Sequence, residues 1–246
     1  MWQGLREELK PKGLEILLVG LDALGAEGCA PALSVLSDDM PSLIDRHHVL
    51  ADRFGVTNIP QSIWIDEAFR IVRPPEAAPL PPEAVRPPPA ADPAAEVPER
   101  FRAMMAEAAR IPNEGADYHA ALRDWVEKGG ESRFVLGEDE VVRRSQPRDD
   151  AVARGHAHFA LATHAETTGH HELAVEHFRS AHALVPDSWT FRRQAWSLEQ
   201  VAAAGPLARF WQGPTPDAPD AWPYEGDWLS DIRREGPENY GIRFEP

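Results

Sequence analysis

Phe54-Gly55-Val56-Thr57-Asn58-Ile59-Pro60-Gln61-Ser62-Ile63-Trp64-Ile65-Asp66 is the stretch on which the fold turns. Proline lacks the amide donor a strand ladder needs, so Pro60, just ahead of the apolar run from Ser62 to Ile65, belongs at a strand's first residue or on an edge. An X-Pro bond there adopts cis at a cost of only ~0.5 to 1 kcal/mol, which makes a tight entry into the strand. Working outward, residues 48–54 read as a helix closed by Gly55, and residues 71–72 as a second short strand after a turn at Asp66 and Glu67. Further upstream, Trp2, Leu5 and Leu9 share one helical face, and Pro11 with Gly13 ends that helix. Residues 14–21 (LEILLVGL) are dense enough in β-formers for a strand covered on both faces. Residues 26–36 allow a helix and residues 42–44 a short extended piece, so the alternation predicts an α/β architecture.

Taken in order, a helix, LEILLVGLD, a helix, P-S-L-I-D, the helix VLADRFGV, Ile59-Pro60, the strand SIWID and a hairpin to RIV resemble thioredoxin-like proteins of the ResA/TlpA and redoxin (AhpC/TSA-type) group. The likeness covers residues 1 to about 73, and residues 118–128 are similar to the final helix of that fold after a Pro-rich insertion over 74–98. It implies an N-terminally incomplete α/β thioredoxin-like domain over residues 1–130, with the LEILLVGL and SIWID segments side by side. It also implies that Pro60 is cis and that the backbone of Ile59 offers hydrogen bonds to an extended thiol substrate. Ile59 and Pro60 are thus the expected substrate-binding residues.

In that family a strand and a Cys-x-x-Cys motif at a helix N-terminus precede the first helix seen here, and the helix dipole favours the attacking thiolate. This sequence carries neither, so no catalytic residue is assigned, and the chain as given is expected to be inactive as a thiol-disulfide oxidoreductase. Two explanations stand open: a degenerate redoxin domain kept for binding, or a reading frame begun too late, with a cysteine or selenocysteine motif upstream. Without that strand, apolar surface beside residues 14–21 is expected to be exposed, and a homodimer paired through that edge is one remedy. Cys29, the sole cysteine, lies near a helix start, but Glu27 and the acidic surroundings oppose a thiolate there, and it reads as a small packing residue.

Ten of the 24 prolines fall between Pro74 and Pro98, a density that helix and sheet interiors exclude, so that segment reads as an extended spacer. Residues 99–110 and 118–128 are helix-like, and residues 131–150 form a charged connector. Residues 151–204 are strongly helical. Within them Leu161, Ala162, Ala165, Gly169, Ala174, Phe178, Ala181 and Pro186 resemble one tetratricopeptide (TPR) repeat. A lone repeat cannot bury its face, so the tail over 205–246, with Trp211, Trp222, Tyr224, Trp228, Tyr240 and Phe244, or the helices of 99–128 are expected to cover it. Seven of the ten histidines lie between His156 and His182, yet no two share an i, i+3 or i+4 spacing, and no metal ligand or cofactor is assigned.

A formal net charge of −15 opposes polyanions, so nucleic acid is not an expected partner. No apolar run approaches the ~18 residues of a membrane span. The acidic start lacks the pattern of an export signal, which places the chain as given in the cytoplasm. Two classes of function follow. One is a redoxin-related protein whose partners are a protein thiol or disulfide substrate, as the resemblance implies. The other is a non-catalytic scaffold that binds protein partners through the remodelled redoxin surface and the TPR-like region.

Overall fold

A computed structural model describes residues 2–81, 99–145, 148–199, 213–214 and 219–245. Helix α1 (Trp2–Leu9) buries Leu5 and Leu9, and Gly13, at φ 103°, closes the turn after it. Strand β1 is confined to Leu18–Gly20, shorter than residues 14–21. Ahead of it Glu15 is drawn into an ion pair with buried Arg6, which also binds Asp39 at 2.9 Å, so this part of the run follows a side-chain anchor and not a ladder. After α2 (Ala26–Leu33), β2 (Ser42–Ile44) lies parallel to β1, with Leu18 opposite Ser42 and Gly20 opposite Ile44. Helix α3 (Val49–Phe54) ends at left-handed Gly55, and the chain enters β3 (Gln61–Ile65) through a cis Ile59–Pro60 peptide.

Three expectations for this half need correcting. Strands β1 and β3 do not pair: among the described residues β1 bonds only β2, and β3 bonds only β4 (Ile71–Ala77), which makes two separate two-stranded sheets. Nor is the first strand covered on both faces, since Leu17 just ahead of it is 52 % and Val19 within it 38 % exposed. Helix α2 lies against both strands, with Cys29 buried behind Gly20, and the opposite face, which carries Val19 and Leu43, is uncovered among the described residues. Finally, the second strand of the hairpin does not stop at Val72. Ser62 faces Glu76 and Trp64 faces Arg73, so Pro74 and Pro75 together oppose Ile63. A bulge of that kind accommodates residues that cannot donate to the ladder. The proline-rich segment over 82–98 lies outside the described residues.

Two cores form. In the first, Leu5, Leu9, Trp64 and Phe244 pack with Tyr118 and Leu122 of α5 (Gly115–Lys128). Trp64 stacks on Trp125 at 4.9 Å and donates its indole N–H to the Tyr118 hydroxyl at 2.8 Å. Burial pushes that phenol up to about 12. Inside β4, Arg73 is held by Glu76 (2.5 and 2.8 Å), by the carbonyl of Phe134 (2.7 Å) and by that of Glu245 (2.6 Å). Those bonds tie the C-terminal end and the chain ahead of α6 (Glu138–Arg144) to the hairpin.

The second core is helical. Helices α7 (Asp150–Thr167) and α8 (His171–Leu184) form a hairpin around left-handed Gly169, with Ala162, Ala174 and Ala181 fully buried between them. Small residues at these positions let the two backbones approach closely. Leu161, expected in this packing, is instead half exposed on the outer side. Trp189 and Trp196 of α9 (Trp189–Leu198), Met104 of α4 (Glu99–Ala108), and Trp222, Tyr224 and Ile232 complete the cluster, the last within α10 (Trp228–Glu235). Trp222, Tyr224, Trp228 and Tyr240 of the aromatic tail therefore join the helical core, while Phe244 packs in the first. Trp211 lies outside the described residues.

Candidate functional site

Asp45 organises the turn from β2 into α3. Its amide donates to the carbonyl of Gly20 at 2.8 Å, and its carboxylate accepts the amides of Val49, Leu50 and Ala51 at 2.7 to 3.1 Å. Those are the donors that a helix start leaves without intrahelical partners. The turn closes with His48 in the left-handed region at φ 53°, which sets its ring inward at 5 % exposure. Histidine is one of the few residue types enriched at such angles.

Helix α9 then docks onto this turn and onto the loop before β3. The Thr190 amide donates to the carbonyl of Thr57 at 3.0 Å. The side-chain oxygen of Gln194 accepts the buried amide of Ala23 at 2.8 Å and lies 3.1 Å from His48 Nε2. A backbone N–H can face only the amide's oxygen, so the bond from His48 must be donated by Nε2. Burial lowers the pKa of His48, so its neutral ring carries the proton on Nε2 and a bare lone pair on Nδ1. That Nδ1 is buried without a hydrogen-bond partner among the described residues.

Between α3, α7 and α9 lies a cavity of about 400 Å³, with His48, Asp52, Arg53, Arg148, His156 and Phe191 among its lining residues. Phe159 and Phe191 stack at 4.3 Å with planes 12° apart. The rings of His48 and His156 stand edge-on to Phe159 and Phe191, each at 4.9 Å. Asp52 pairs with Arg148 and, at 2.5 Å, with Nδ1 of His156. The carboxylate is the acceptor there, so Nδ1 holds the proton while His156 is neutral, and burial lowers this pKa too. The site thus combines an aromatic wall, two imidazoles and a carboxylate paired with Arg148 where α3 meets the helical core.

Ile59 lies beside this site and Pro60 is exposed. Ile59 lines a smaller cavity of about 40 Å³ with His48, Thr190 and Gln194. The N–H of Ile59 donates to the side chain of Asn58 at 2.8 Å. Cys29 is buried behind Gly20, where a β-carbon would come within 2.8 Å of its sulfur. Among the described residues no group of three or more metal-ligating side chains converges, although His158 and His177 meet at 2.9 Å between α7 and α8.

No family model, curated protein or solved structure matches the chain. Its chemistry is therefore read from its own geometry. The aromatic wall and the paired ions can bind and orient a small molecule or peptide group. The residues that sequence reasoning passed over are His48, Asp52, Arg148, His156 and Gln194. An aspartate ahead of an apolar helical run, as in Asp45 before Val49, was a usable signal for the turn, whereas nothing local marked Gln194.

Proposed function

We propose that this chain is a thioredoxin-like, redoxin-related protein joined to a TPR-like helical unit, and that it acts by binding and not by thiol chemistry of its own. The cavity between α3, α7 and α9, beside the Ile59–Pro60 loop, is its binding face. The observation that carries the non-catalytic part is the burial of the chain's single thiol. Cys29 is 6 % exposed, and no second cysteine exists in the sequence to complete a dithiol pair. A reactive cysteine needs an accessible, electropositive setting that stabilises its thiolate.

An insulin-reduction assay driven by dithiothreitol tests this directly. The chain is expected to leave the rate of insulin precipitation unchanged, and Cys29→Ser is expected to match the parent. Acceleration that disappears in Cys29→Ser refutes the proposal. A second reading is favoured by the uncovered strands: a further strand bearing a cysteine or selenocysteine motif lies against β1, next to exposed Leu17 and Val19. The DNA preceding the Met1 codon decides it. An open frame encoding such a motif supports that reading, and its absence removes it.

A further inference from the structure

Helices α7 and α8 approach closely because Ala162, Ala174 and Ala181 are fully buried between them. His158 stands one turn before Ala162 and His177 one turn before Ala181, each on the face of its helix that the alanine occupies. The close approach brings the two rings together, with centroids 5.1 Å apart and planes tilted by 45°. Their Nδ1 atoms lie 2.9 Å from one another, and both residues are half-buried. By themselves the rings form a hydrogen bond, one Nδ1 donating to the other. The same spacing suits a shared metal ion. An imidazole nitrogen binds such an ion at about 2.0 to 2.1 Å, so two of them at a right angle lie about 2.8 to 3.0 Å apart, whereas the tetrahedral angle of zinc sets them at about 3.3 to 3.4 Å. Right-angled nitrogen ligands are those of square-planar and tetragonal ions, copper(II) and nickel(II), and copper binds most tightly in the divalent series. A net charge of −15 favours a cation over an anion anywhere on this chain.

We infer that His158 and His177 chelate a copper(II) ion through their Nδ1 atoms and so staple α7 to α8. The ring that donates in the hydrogen-bonded pair passes its Nδ1 proton to water and regains one at Nε2, so two neutral imidazoles take up the ion with no net release of protons. Water fills the other positions around the ion, because no third ligating side chain converges with these two among the described residues. The site goes beyond the binding face proposed above, and it depends neither on that face nor on the redoxin relationship.

Titration of the full chain with copper(II) chloride, followed by calorimetry and by electron paramagnetic resonance, tests it. The tightest-bound ion is expected to show coupling to two nitrogens. His158→Gln and His177→Gln should each weaken its binding about tenfold or more and leave one coupled nitrogen, since removing either ring abolishes chelation. His171→Gln, in the exposed His170-His171 pair, should change neither result. Circular dichroism checks that the variants fold. If one does not, paramagnetic broadening of the parent's amide signals decides, and it is expected to centre on residues 155–161 and 174–180. Absence of binding, a single coupled nitrogen in the parent, a loss below about tenfold in either histidine variant, or broadening centred elsewhere each overturn the inference. Thiol activity in the insulin assay would leave these outcomes untouched, so the two claims fail separately.

Discussion

Replacing Gln194 by Met tests whether α9 is held on the α/β half by the contacts described. The substitution keeps the length and volume of the side chain but removes the one oxygen that serves two buried donors, the Ala23 amide at 2.8 Å and His48 Nε2 at 3.1 Å. Each buried donor left without an acceptor costs about 1 to 3 kcal/mol. With the two donors each in the lower to middle part of that range, the expected loss is about 2 to 4 kcal/mol. In a chain of this size that lowers the melting temperature by roughly 5 to 15 °C. Urea unfolding of the parent, Gln194→Met, His48→Phe and the double variant forms a cycle, and the coupling between the two sites is expected to reach about 1 kcal/mol. Hydrogen exchange should speed up first at Ala23. A loss below about 0.5 kcal/mol, or strict additivity in the cycle, would show that α9 does not rest on this amide.

The Arg73–Glu76 pair gives a larger effect. Both side chains are almost wholly buried, so Arg73→Met leaves an unpaired carboxylate inside and should cost about 3 to 5 kcal/mol, while the Arg73→Met/Glu76→Met double variant should recover most of it. Denaturant titration checks this, and a cost below about 1 kcal/mol for the single variant contradicts it. Burial also holds His182 down to about 4, below its unfolded value near 6.5. Its contribution is therefore fully present above about pH 6.5 and is lost as the pH falls toward 4, at no more than about 1.4 kcal/mol per unit. His48 and His156 act in the same direction, and His171, raised by its hydrogen bond to Glu166, acts in the opposite one. Melting curves from pH 7 to 4.5 should show a steeper decline for the parent than for His182→Gln, and equal slopes would refute the assignment.

The entry into β3 was legible because Pro60 must stand at a strand's start, and α3 was legible because Gly55 ends an apolar helical run. The cover over β1 was not. Apolar density in residues 14–21 reports β-preference but not how many neighbours the strand finds. The extension of β4 through Pro74 and Pro75 was hidden for a related reason, since a bulge depends on the partner strand and not on composition. At the site, Ile59 was legible only through the family resemblance, and its amide is used by Asn58. His48 and Gln194 stand 146 residues apart, so no local pattern joins them. The histidine-rich stretch was visible, but testing i, i+3 and i+4 spacings finds pairs within one helix. His158 meets His177 across two helices, and His156 meets Asp52 of α3.

The same long-range contacts make a final prediction about residues 1–130 expressed alone. That fragment matches the thioredoxin-like unit drawn from sequence, but its core as folded contains Phe244, which is 3 % exposed, and Phe134. Removing a buried phenylalanine side chain costs about 3 to 5 kcal/mol each time. Arg73 would lose the carbonyls of Phe134 and Glu245, and Ala23 and His48 would lose Gln194. Together these losses match or exceed the roughly 5 to 15 kcal/mol by which a domain is stable. The fragment is therefore expected to show no cooperative melting transition and poor dispersion of its amide signals, whereas the full chain is expected to melt cooperatively with well-dispersed signals. A sharp transition in the fragment would mean that the α/β half closes its own core, and that α9 and the C-terminal strip lie on it without being required by it.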